Sequence, residues 1–249
     1  MPNLLLIDAK WEGEVNLTER LKSHLKKNKI KSLAIFASTQ FNKLDKLIKD
    51  LEKNKIKVLR TKAKRANKEL QILGCDCYPD SFNPIVNKAD LILYIGDGLF
   101  HPKAILLSQK NNKNPKPVLL FDPIGDKVEL IDQKLIEKEK QRAKRNLKRY
   151  LAAETIGILV TIKPGQQYLA AAKKLKEKID KENKKAYIFI DDTINFFHLE
   201  NYPFIDAWIN TACPRIGTDD ILGIEQPLIN LREAINPIKA LEELENANL

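Results

Sequence analysis

The three cysteines are the residues with most chemistry to offer. Cys75 and Cys77 flank a single aspartate in GCDC, and Cys213 lies far downstream in ACPR. A loop cysteine beside Gly or Pro at a strand end is a candidate metal ligand or redox group, because the thiolate is the reactive form and a loop exposes it. Soft thiolates select iron–sulfur clusters, zinc or Cu(I). The spacing lacks the two CxxC-type pairs of a zinc ribbon or finger. Three cysteines also argue against a disulfide framework. The plainer alternative is that each is a small buried hydrophobe. The acidic pairs Asp191-Asp192 and Asp219-Asp220 suit Mg²⁺ or acid–base work, and equally suit capping of the next helix. His24 and His198 have no Ser or Cys partner for a triad. His101, in GDGLFHP, reads either as a general base or as a packing residue at a helix start. That loop lacks the GxxxxGK[ST] spacing and the third glycine of GxGxxG, so no nucleotide fingerprint is assigned to it.

These residues need strands to hold them. Short apolar runs occur at Leu4–Ile7, Ser32–Phe36, Ile56–Leu59, Leu91–Ile95, Val118–Phe121, Gly157–Ile162, Ala186–Ile190 and Ala207–Asn210. Most are continuous rather than alternating, as in strands of a parallel sheet buried on both faces. The stretches 42–53, 134–153 and 167–181 read as helices. Alternating strands and helices predict an α/β class with right-handed crossovers. Functional groups then collect at the carboxyl ends of strands, which singles out GCDCYPD, GDGLFHP, FDP, KPGQ, DDT and ACPRIGTDD. A loose internal repeat predicts two similar parallel-sheet domains with flanking helices, 1–130 carrying Cys75 and 131–249 carrying Cys213.

Composition sets the outer bounds. With 43% hydrophobic and 31% charged residues in 249, collagen-like, mucin-like and wholly disordered classes are excluded. No apolar run approaches the ~18 residues of a membrane span. The N-terminus MPNLLLIDAKWEGE has no basic start and no small-residue cleavage site, so a cytoplasmic location is expected. The net charge of +10 suits nucleic acid, ribosomes or an acidic partner. A nucleic-acid-binding module would also interleave aromatics with its basic residues. Here the Lys-rich helices read as solvated faces.

In ILGCDCYPD, LYIGDGLFHP, LLFDP, VTIKPGQ and INTACPRIGTDD, the chain resembles the archaeal diphthamide-synthesis enzymes, a family of non-classical radical S-adenosylmethionine (SAM) enzymes. The resemblance covers roughly residues 1–235. It implies three similar α/β domains, each giving one cysteine to a [4Fe–4S] cluster whose open iron binds SAM. Cleavage then yields a 3-amino-3-carboxypropyl radical, which adds to C2 of a histidine imidazole in translation elongation factor 2. On that pattern Cys75 matches the second-domain ligand and Cys213 the third-domain ligand, while Cys77 has no counterpart. Arg215 would pair with the SAM carboxylate, as a guanidinium does bidentately. Gly165 and Gln166 would hold the methionine moiety or the sugar, and Asp219 would bind an amino group or receive Arg215. The chain is expected to correspond to the second and third family domains. No cysteine precedes Cys75, which leaves three alternatives. A separate chain supplies the first domain and its cysteine, Cys77 stands in, or the protein is a subunit that no longer does the chemistry. The implied partners are elongation factor 2, that separate chain, and a homo- or hetero-oligomer, with no membrane and no direct nucleic acid. The run Leu4–Ile7 is expected to pair with a partner's sheet or to form an edge strand.

Overall fold

The computed structural model describes residues 10–41, 43–219 and 224–246. The predicted strand at Leu4–Ile7 lies outside the described residues. The chain divides into two compact units, Met1–Ile136 and Glu137–Leu249. The division follows Ile136 rather than residue 130, because Ile131 and Ile136 both pack into the core of the first unit.

The first unit contains β1 (Ser32–Ala37), β2 (Lys57–Leu59), β3 (Leu91–Ile95), β4 (Val118–Asp122) and β5 (Lys127–Leu130), in the order β2-β1-β3-β4-β5. The first four are parallel and β5 returns antiparallel. Strand alternation builds the layers. Leu33, Ile35 and Ala37 of β1 face the helices α1 (Glu19–Lys27) and α2 (Asp45–Lys53), while Ala34 and Phe36 face α3 (Phe100–Ser108). The expected FDP loop is instead the turn of the β4–β5 hairpin: Asp122 pairs with Lys127, and its carboxylate accepts from Ile124 N at 3.0 Å.

The helix α4 (Lys134–Ala152) leads into the second unit, where its Leu147 and Tyr150 are core residues. The strands there are β6 (Thr155–Thr161), β7 (Lys185–Asp191), β8 (Ala207–Asn210) and β9 (Leu228–Asn230), all parallel, in the order β7-β6-β8-β9. The helices are α5 (Leu169–Lys181), α6 (Phe196–Leu199), α7 (Ile216–Asp219), α8 (Leu231–Ile235) and α9 (Pro237–Asn246). Ile156, Ile158 and Val160 of β6 face one core cluster; Leu159 and its neighbour Trp208 face another. Among the described residues no helix is long and apolar enough to cross a membrane.

The parallel strands of both units follow one plan, second-first-third-fourth. The chain leaves the first strand toward one side and later crosses to the other. A crevice therefore opens at the carboxyl ends of the first and third strands.

Gly157 shows how tightly the second sheet is packed. It sits opposite Trp208 in the β6–β8 register, and a Cβ there would run into the indole ring. Trp208 is fully buried and packs edge-on against Phe189 at 5.0 Å. Gly157→Ala is expected to lower stability by about 1–3 kcal/mol through overpacking, read as an earlier urea midpoint at unchanged slope. An unchanged midpoint would mean that the indole can move aside without cost.

Candidate functional site

Cys75 is carried by a short extension of the first sheet. Ala37 N donates to Leu70 O at 2.7 Å and Ile72 N donates to Ala37 O at 3.1 Å. Residues 70–72 thus run alongside the end of β1, past the point where β2 stops. The chain then makes a turn over Leu73–Asp76, closed by Asp76 N donating to Leu73 O at 2.9 Å. Gly74 and Cys75 form its tip. Gly74 has no room for a side chain, since a Cβ would collide with the Phe100 ring. The Phe100 ring, at the start of α3, therefore lies directly against the Cys75 turn.

Asp76 is the residue that sequence reasoning missed. It is fully buried, and its carboxylate accepts from Leu73 N at 3.0 Å and from Arg65 N at 3.2 Å. It ties the turn to the 60s loop. Burial pushes its pKa above the usual carboxylate range, with the two N–H groups and Arg65 pulling the other way. Cys75 and Cys77, two positions apart, are sorted by this turn. Cys75 is half-buried and free of any disulfide, whereas Cys77 is 6% exposed in an apolar cluster with Phe36, Ile72 and Ile105. Cys77 is thus a core side chain.

GDGLFHP is a strand-to-helix turn. Gly98 has φ +64, a region that favours glycine. His101 packs its ring over Tyr94, centroids 6.1 Å apart, with the Tyr94 hydroxyl 3.4 Å from Nδ1. Burial pushes the Tyr94 phenol upward.

Cys213 follows β8 in the corresponding crevice of the second unit. Thr211 N and Oγ1 both donate to Leu159 O, at 3.1 and 2.7 Å, which fixes the exit from the strand. Ile216 N donates to Cys213 O at 3.1 Å, closing a turn through Pro214 and Arg215 into α7. Asn210 is the second missed residue. Its amide nitrogen donates to Cys213 O and to Asn230 Oδ1, both at 2.8 Å, and its oxygen accepts from Ala212 N at 2.9 Å. One buried carboxamide therefore pins the Cys213 turn to the ends of β8 and β9. Cys213 is half-buried and not in a disulfide. Arg215 lies in the interior at 2% exposure, and its carbonyl accepts from Thr218 N and Oγ1, both at 2.9 Å. The Asp219 side chain and Asp220 lie outside the described residues.

The KPGQ loop leaves β6 as a tight turn. Gln166 N donates to Lys163 O at 3.0 Å, with Pro164 second and Gly165 third at φ +76, the residue order of a type II turn. Gly165 is exposed and Gln166 half-buried. Thr161 Oγ1 donates to Asp192 O at 3.0 Å, joining this loop to DDT. Asp191 accepts from Asp192 N at 2.7 Å and Thr193 N at 3.4 Å, and Asn195 rather than an aspartate caps α6. Asp191 is held below the usual carboxylate range, first by its side-chain hydrogen bond with Asp192 and then by those amides. It therefore serves a turn. Among the described residues, no group of three or more His, Cys, Asp or Glu side chains is placed to hold a metal ion.

Residues 4–245 match the family described as "Putative diphthamide synthesis protein". The chain belongs to the diphthamide synthesis family. It is 29% identical over 175 residues to 2-(3-amino-3-carboxypropyl)histidine synthase of Pyrococcus horikoshii, covering 70% of this chain and 47% of that protein. It is 28% identical over 207 residues to 2-(3-amino-3-carboxypropyl)histidine synthase subunit 1 of Yarrowia lipolytica, covering 82% and 44%. Dph2 from Pyrococcus horikoshii, solved with a 4Fe-4S cluster, superposes with a TM-score of 0.69 at 26% identity, covering 92% of this chain and 64% of that one. The family member described here thus spans less than half the length of these two curated relatives.

Proposed function

We propose that this chain is a catalytic part of a 2-(3-amino-3-carboxypropyl)histidine synthase. It would take part in the first step of diphthamide synthesis, moving the 3-amino-3-carboxypropyl group from SAM to a histidine of translation elongation factor 2. The observation that carries this reading is the placement of the two family-matched cysteines. Each lies half-buried on a turn beyond the carboxyl edge of its own sheet, and each turn is pinned by a buried polar side chain, Asp76 or Asn210. The unmatched Cys77 is in the core.

Two soft thiolates on fixed turns suit an iron–sulfur cluster. Cys75 and Cys213 would each hold one iron, and a third cysteine would come from a separate chain carrying the remaining family domain. A bound cluster would supply the electron that breaks a carbon–sulfur bond of SAM. This chain's own work is to bind and orient. The amide groups of Gly165 and Gln166 would hold the methionine or ribose moiety. Arg215 and Asp219 would serve the amino-acid end, with Arg215 acting from beneath the Cys213 turn. A translation-factor substrate makes the cytoplasm the place of action.

The test is anaerobic purification of the chain with its partner, followed by iron and sulfide analysis, SAM cleavage and labelled transfer to elongation factor 2. A complete complex that binds no cluster would overturn the enzyme reading. A second reading is a non-catalytic interaction subunit. It requires Cys75→Ala and Cys213→Ala to complement a strain lacking the native chain; loss of diphthamide in both removes it.

A further inference from the structure

We propose that the basic ribbon 55–68 is the surface on which an acidic face of the protein substrate docks, next to the Cys75 turn. This rests on the reading of the chain as part of a transferase that acts on a protein. Residues 55–68, KIKVLRTKAKRANK, contain seven Lys or Arg and no Asp or Glu. They run from the start of β2 into the loop that leads to Cys75.

The ribbon is held in a definite shape. β2 ends at Leu59, and burial keeps alternating beyond it: Leu59, Thr61 and Ala63 are buried, while Arg60, Lys62 and Lys64 are exposed. Alternation in an extended chain sets those three cations on one face, about 7 Å apart. The backbone is tied to the chain on both sides of Cys75. Leu70 N donates to Thr61 O at 2.9 Å, Lys64 N donates to Ser81 O at 2.8 Å, and Arg65 N donates to the Asp76 carboxylate at 3.2 Å. A partner seated on the ribbon is therefore seated beside the Cys75 thiol.

The charge there is not used within the chain. Arg60 and Lys62 make no ion pair among the described residues, and Lys64 meets only the exposed Asp80 carboxylate, at 2.9 Å. On α4, by contrast, Arg142 pairs with Glu139, Lys148 pairs with Glu245, and Arg149 donates to Glu225 O. Blunting a sheet edge needs a charge on the edge strand itself, which Lys57 supplies, yet the run continues well past the end of β2. Cations of one sign crowded on one face repel each other and attract an anionic partner. An acidic protein fits better than nucleic acid. Residues 55–68 contain no aromatic side chain on which bases could stack, and a protein that receives a group at the Cys75 turn has to lie against this segment.

The experiment is fluorescence anisotropy of labelled elongation factor 2 titrated with the full chain, with far-UV circular dichroism as the fold control. Binding is expected, and it should weaken as salt rises from about 50 to about 300 mM. The double variant Arg60→Glu/Lys62→Glu should weaken it at least about tenfold at low salt. Lys173→Glu/Lys174→Glu on α5, with the same change of net charge, should leave it unchanged, and Arg60→Lys/Lys62→Arg should retain it. If the reversed variant fails to fold, Arg60→Gln/Lys62→Gln decides. No binding by the wild-type chain overturns the proposal, and so does equal weakening by the two reversals. A labelled uridine homopolymer that binds more tightly than the factor, and is lost in the same variant, also overturns it by making the ribbon a nucleic-acid site. The titration needs no bound cluster, so the iron and transfer measurements judge the enzyme reading separately.

Discussion

Cys75→Ala and Cys213→Ala are each expected to remove bound iron and to lower product formation by the complete complex at least about 100-fold, because a lost first ligand leaves the cluster exposed and poorly held. Neither change should move stability by more than about 1 kcal/mol, since each side chain is half-buried at a turn. Cys77→Ser should do the reverse. It puts a hydroxyl into an apolar cluster, at a cost of about 1–3 kcal/mol, while iron content stays at the wild-type value. Iron analysis and urea denaturation on the three variants separate the roles. Iron loss in Cys77→Ser at unchanged stability would reverse the assignment.

The second large effect belongs to Asp76. Asp76→Ala leaves the N–H groups of Leu73 and Arg65 without their acceptor, and about 2–4 kcal/mol of stability should go with them. The Cys75 turn should loosen too, so that its thiol reacts faster with an alkylating probe. The pH dependence has a definite sign. Burial raises the folded pKa of Asp76, so the stabilising contribution of this carboxyl is complete below the ordinary carboxylate pKa and is lost as pH rises through the raised folded value. Asp76→Asn does not titrate. Its deficit against the wild type should therefore be largest near the acid end of that window and shrink above it. A deficit that grows with pH would mean that the two N–H bonds outweigh burial.

Much of the fold could be read from apolar runs, and the exceptions have physical causes. Leu91–Ile95 and Ala207–Asn210 are uninterrupted because both faces of those strands are covered, and both were located to the residue. β5 escaped because KVEL alternates and is only half covered. β9 escaped because three residues carry no period. FDP resembled a functional loop because Asx turns and strand-end sites use the same residues. At the candidate site Cys75 and Cys213 stood out by residue type and by the loops that carry them. Asp76 and Asn210 did not, since an aspartate or asparagine in a loop is ordinary until its hydrogen bonds are seen. The pair CDC offered one usable clue: a charged residue between two cysteines must either face water or be tied down, and here it is tied down.

The central strand pairs carry a consequence for motion. Every residue of β3 and β8 is buried, and each lies next to the first strand of its unit. Their amide protons should exchange with solvent only when a whole unit opens, while those of the exposed 97–100 and 163–165 loops should exchange through small local fluctuations. The Cys213 turn leaves β8 directly, and the Cys75 turn is hydrogen-bonded through Leu70 and Ile72 to the last residue of β1. The backbone at the root of each cysteine turn is therefore expected to exchange as part of its sheet, more slowly than the exposed loops beside it.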